Sequence, residues 1–160
     1  MLFRSLFFSV GGHPAFRCPL EEGEKYSDYS IVFERDERAM NYEVTNSGTI
    51  GSARDLLLDN SNTINLHAAI FNNDVLVFKT LKSRRASLVS KHSGKRVEVS
   101  YEGFPYLGIW AKSHADFVCI EPWLGVADPV DTDQELETKE GIISLQEKES
   151  FSASYRISIF

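Results

Sequence analysis

Short apolar runs alternate with polar, glycine- or proline-bearing breaks along the whole chain, and the spacing is that of strands rather than helices. Residues 2–10 predict an opening strand that ends in Gly11 and Gly12. Residues 29–34 and 40–45 predict two strands joined by a charged turn at 35–38, and Asn46-Ser47-Gly48 supplies a tight hairpin turn. Between residues 54 and 73 the pattern loosens to short apolar runs at 56–58 and 64–66, with one helical turn over 67–71. Residues 75–78 are an uninterrupted buried strand, and 86–90 pairs with 96–101 across Ser93-Gly94-Lys95. The second of these alternates Val97, Val99 and Tyr101 against Arg96, Glu98 and Ser100, so one face is wet. Residues 107–110 and 117–120 are neighbouring strands joined by a polar loop around His114, and 128–140 is an acidic loop. At the end, Phe151, Ala153, Tyr155, Ile157 and Ile159 alternate with polar residues, which predicts a half-buried strand. Many short strands without an amphipathic helix or a repeat predict an all-β fold, an antiparallel β-sandwich formed by residues 1–160 as a single domain.

Composition narrows the possible partners. The 160 residues carry 17 basic and 23 acidic side chains, a net charge of −6, and the basic ones are scattered apart from Lys82, Arg84 and Arg85. Phosphate backbones need a clustered basic face, so nucleic acid is not an expected partner. No stretch approaches the ~20 apolar residues that span a bilayer, so no membrane is expected. The N-terminal apolar run is too short for a signal peptide, and no small-residue cleavage site follows it. Cys18 and Cys119 lie outside any CxxC motif or local Cys/His cluster, which predicts reduced core thiols in a cytoplasmic protein with no metal and no cofactor.

Two short stretches carry chemistry. Phe117-Val118-Cys119-Ile120 is an uncharged strand, and Glu121 follows it immediately before Pro122 and Trp123. Proline lacks the backbone donor of a regular ladder, so Glu121 is expected at the strand end beside an aromatic platform. Spacing alone leaves two readings open, a catalytic base or an ion-paired structural carboxylate. At the other end of the chain, Phe7-Phe8-Ser9-Val10-Gly11-Gly12 leads into His13, which is held from behind by Pro14.

Together FSVGGHPAF, FVCIEPWLGVADP and the later KEGI resemble the galactose mutarotase-like, or aldose 1-epimerase, family. The resemblance runs from Leu6 to Ile159. It implies the family's β-supersandwich without its N-terminal half, and an aldose, in all expectation a hexose, as ligand. It also implies Glu121 as general base, taking the anomeric hydroxyl proton, and His13 as general acid, protonating the ring oxygen from the opposite side of the sugar. Each positioned group of this kind contributes roughly 10²–10⁴ in rate. Asp74 matches a sugar-hydroxyl-binding acidic position, against the plain alternative of a turn aspartate. Trp123 is set to stack on a sugar face, or else belongs to the core. The family completes its pocket with a histidine and an arginine from the N-terminal half, for which this chain has no candidate. Three outcomes follow: a working or partner-completed epimerase, a carbohydrate-binding module without turnover, or an inactive fragment. A sandwich cut through its middle also exposes sheet edges, which predicts a homodimer covering the first strand.

Overall fold

In the computed structural model, which describes residues 5–160, nearly all regular structure is antiparallel strand. The strands are β1 (Ser5–Phe8), β2 (Ala15–Arg17), β3 (Tyr29–Val44), β4 (Ile50–Asn65), β5 (Leu76–Phe78), β6 (Arg85–Ser90), β7 (Arg96–Ser100), β8 (Tyr106–Trp110), β9 (Phe117–Trp123), β10 (Ile143–Gln146) and β11 (Arg156–Ile159). β1 and β10 form a small two-stranded sheet, and the remaining nine form one curled sheet in the order β11-β7-β6-β3-β5-β8-β9-β2, with β4 also on β3.

The long ribbon of β3 and β4 explains the curl. β4 pairs with β3 from Ser30↔Asn65 to Val44↔Ile50 and so occupies one edge of β3 throughout. β6 and β5 must therefore share the other edge: β6 takes Tyr29 to Phe33, and β5 meets β3 at Tyr42. Between these stations the β3–β4 register shifts repeatedly, beginning between Val32 and Glu37, and bulges of this kind bend a strand and increase its twist. One wing (β6, β7, β11) is thereby turned against the other (β5, β8, β9, β2). The core lies between them: Phe33, Ala86, Leu88 and Val99 meet Phe78, Leu107, Ile109, Val118 and Ile120, and the Phe33 and Phe78 rings stand edge-on with centroids 5.8 Å apart.

Residues 35–38 are thus the bent middle of one 16-residue strand, not a turn between two. The reason is Glu37, which the bulge rotates inward until it is 2% exposed. Its carboxylate accepts the backbone N–H groups of Lys82 (3.1 Å) and Ser83 (2.6 Å), in the connection that carries the chain from β5 to β6. Glu37→Ala would leave the buried Ser83 donor and the part-buried Lys82 donor without their acceptor, so urea unfolding should show a loss of about 1–3 kcal/mol; a loss under about 0.5 kcal/mol would contradict this role.

Residues 54–65, which read as loose, belong to strand β4. β4 pairs only with β3, and half of its residues are exposed, with Ile50, Leu58 and Ile64 buried. An edge strand broken by bulges shows no clean alternation. The expected final strand is shorter, Arg156–Ile159, and its apolar side chains are not half-buried: Ile157 and Ile159 point to solvent, because β11 ends the sheet and pairs with β7 alone. Gly48 and Gly94 have the positive φ that their hairpin turns require, as expected. Of the predicted opening strand, residues 2–4 lie outside the described residues. β1 has an internal partner in β10, so one of its edges is already paired.

Candidate functional site

β9 presents two faces. Val118 and Ile120 enter the core, and the alternate residues Cys119, Glu121 and Trp123 point to the opposite, concave face. β9 runs through to Trp123, with Pro122 inside the ladder opposite Leu107, so Glu121 sits mid-strand rather than at a strand end. The pairing explains why proline is tolerated. The N–H groups of Ile120 and Leu124 donate outward to Pro14 and Val10, so the donor missing at Pro122 faces the irregular segment 10–14 and leaves the β8 ladder intact. That segment is still registered on β9 through a Gly11↔Trp123 bridge, the Gly12 N–H on the Pro122 carbonyl and the Ala15↔Cys119 pair, which sets His13 beside Glu121.

His13 Nδ1 lies 3.1 Å from Glu121 Oε1, and the His13 side chain is 62% exposed where that of Glu121 is 7% exposed. Burial pushes the Glu121 carboxyl above its ordinary range, while the His13 charge and hydrogen bonds from Trp123 and Cys119 pull the other way. Burial, together with the charge of Glu121, pushes the Cys119 thiol up to about 12, so it is protonated at neutral pH. The pair sits in a cavity of ≈ 410 Å³ whose apolar floor is Val44, Ile50, Val75, Val77 and Val126, a volume that suits a small ligand.

A cross-strand row explains the opening. Tyr42, Val77, Gly108 and Glu121 face one another across β3, β5, β8 and β9. Gly108 leaves the space that the Trp123 ring fills, and a methyl at Gly11 would stand 2.7 Å from Trp123 Cδ1. Trp123 is therefore seated on two glycines and forms one wall of the cavity. Gly108→Ala should displace the indole and cost about 1–3 kcal/mol in thermal unfolding; an unchanged melting temperature with unchanged tryptophan fluorescence would refute that packing.

Asp74 lies apart from the pair. It lines a neighbouring depression with Asn72, Asn73, Trp110 and Lys112, has φ +74°, and its Oδ1 accepts the Val75 N–H at 2.8 Å. The two hollows share Val44, and Trp110 stands edge-on to His13 with centroids 6.1 Å apart. Sequence reasoning passed over Trp110, Gly108 and Cys119. The available signal was the two-residue alternation Cys119, Glu121, Trp123.

The fold and the site's setting define a class: the chain has the galactose mutarotase-like fold. A crystallised galactose mutarotase related enzyme from Lactobacillus acidophilus matches over 98% of this chain and 53% of its own, with 27% identity and a TM-score of 0.85. A galactose mutarotase-like protein from Lactobacillus casei ATCC 334 shares the fold at 23% identity, TM-score 0.76, over 96% of this chain and 52% of its own. In sequence, the chromosomal protein LacX of Lactococcus lactis subsp. lactis is 33% identical over 98% of this chain and 53% of its own length. The chain thus spans about half the length of the relatives it matches, consistent with a C-terminal portion. No protein-family model matches it, and among the described residues no helix is long and apolar enough to cross a membrane.

Proposed function

We propose that the chain carries an aldose 1-epimerase site in which Glu121 is the general base and His13 the general acid. The observation that carries this reading is the contact of a buried carboxylate with an exposed imidazole in a cavity of small-ligand size. The mutarotase-like fold and the LacX relatives favour a carbohydrate role at the level of the family. Glu121 takes the proton of the anomeric hydroxyl while His13, as imidazolium, gives a proton to the ring oxygen. The bond from C1 to the ring oxygen breaks and an aldehyde forms. Rotation about the C1–C2 bond and the reverse transfers then close either anomer. Both reacting oxygens are bonded to C1, so a base and an acid 3.1 Å apart can serve adjacent atoms of one sugar.

Trp123, and the neighbouring Asp74 for a more distant hydroxyl, are the proposed sugar contacts, with a hexose as the ligand in cytoplasm. His13 and Glu121 are the only ionisable side chains lining the cavity among the described residues, so grip on the sugar is expected to be weak. This favours, as second reading, a module that binds sugar without turnover. Polarimetry on freshly dissolved pure anomers of several aldoses tests the first: added protein should speed the drift of optical rotation, and an unaltered drift for all of them would refute it. The reading includes a second copy of the chain beside the small β1 sheet, where Leu6 is 60% exposed. Sedimentation should then give a dimer, and a monomer would remove that partner.

A further inference from the structure

The epimerase chemistry leaves Cys119 without a role, although its thiol is buried against Glu121. A sulfur of Cys119, a carboxylate oxygen of Glu121 and an imidazole nitrogen of His13 all lie within 4.8 Å of one another, and no other such trio of His, Cys and acidic side chains occurs among the described residues. Nothing in the spacing of the sequence announces it. The two-residue period of β9 puts Cys119 and Glu121 side by side on one face, and the antiparallel register of segment 11–15 brings His13 to both.

We propose that His13, Cys119 and Glu121 form a binding site for a borderline-soft divalent cation, with Zn²⁺ as the fitting ion. Zinc takes nitrogen, sulfur and oxygen donors together at about 2.0–2.3 Å in four-fold coordination. Hard ions such as Mg²⁺ and Ca²⁺ select all-oxygen sets and are disfavoured by the thiolate. Donors around a tetrahedral zinc stand roughly 3.3–3.8 Å apart at those bond lengths, so the most separated pair must close by about 1 Å. Cys119 and Glu121 are fixed by β9, and the exposed His13 is the member with room to move. Binding replaces the thiol proton, which leaves to solvent, and the two negative charges of thiolate and carboxylate match the ion.

Such an ion occupies both groups of the proposed acid–base pair, so it should inhibit anomer exchange. That consequence rests on the epimerase reading, whereas the binding does not. Titration of the purified chain with Co²⁺ tests the site directly. One Co²⁺ per chain should bind, with tetrahedral visible bands and a thiolate-to-metal band in the near ultraviolet, and Zn²⁺ should bleach both while Mg²⁺ does not. Cys119→Ser should remove the near-ultraviolet band. Cys119→Ser and His13→Ala should each weaken Zn²⁺ binding by at least about 10-fold, since even outer-sphere partners of a metal account for roughly 10–100-fold. His13 is exposed, so His13→Ala decides the matter if Cys119→Ser does not fold. Absence of the thiolate band, or unchanged Zn²⁺ affinity in His13→Ala, overturns the site. Metal binding without epimerase activity in the metal-free chain would keep the site and sink the catalytic reading; activity without metal binding would do the reverse.

Discussion

Glu121→Gln should reduce anomer exchange by at least about 10²-fold, because the amide keeps the shape of the carboxylate but cannot accept the anomeric proton. The same substitution separates the two roles that spacing left open for this residue. A carboxylate kept for a structural ion pair is expected to destabilise the fold when neutralised. Here burial outweighs the favourable partners and raises the Glu121 carboxyl, so the ionised form is disfavoured in the folded chain. A carboxyl raised on folding contributes stability below its unfolded pKa and loses it as pH rises through the folded value. The glutamine variant should therefore be as stable as the parent in acid and more stable at neutral pH, while nearly inactive. Thermal unfolding at several pH values checks this, and a variant less stable at neutral pH would mark Glu121 as structural.

The second large effect is the pH dependence of turnover. Activity should rise with pH as Glu121 ionises, and the rise should centre above the ordinary glutamate value of about 4.3, because burial raises this carboxyl. His13→Asn should lower turnover by about 10²-fold or more, with a smaller effect on sugar affinity, since His13 acts on the ring oxygen in the transition state. The profile of the rate above background decides: a flat curve over this range, or a His13→Asn variant that loses affinity and not turnover, would remove the pair from the mechanism.

The parts of the fold with local signatures were legible. The β6–β7 hairpin shows clean alternation in β7 and a glycine with positive φ, Gly94, at its turn. The β8–β9 pair shows in its uncharged runs, and His13 and Glu121 in their proline-flanked motifs. What stayed hidden depends on partners remote in sequence. Arg35-Asp36-Glu37-Arg38 has the composition of a turn, and only the amides of Lys82 and Ser83, waiting inside, make Glu37 a buried anchor in a bent strand. Pro122 looked like a strand terminator because the side of β9 that its missing donor would face cannot be known before the sheet order is. Ile157 and Ile159 alternate as a half-buried strand does, yet both are exposed, since β11 lies at the sheet's end. Likewise Cys119 and His13 form no cluster until β9 and segment 11–15 pair.

The central claim, that this chain's own His13 and Glu121 interconvert anomers, is tested most directly by exchange NMR on aldoses at anomeric equilibrium. There no net reaction occurs, and only the rate of crossing between the two anomers is read. Substoichiometric protein should produce exchange cross-peaks between the α and β signals of at least one hexose, absent from buffer alone and absent with Glu121→Gln. Line broadening or shifts that report sugar binding, with exchange no faster than in buffer, would contradict the account and leave a carbohydrate-binding module in its place.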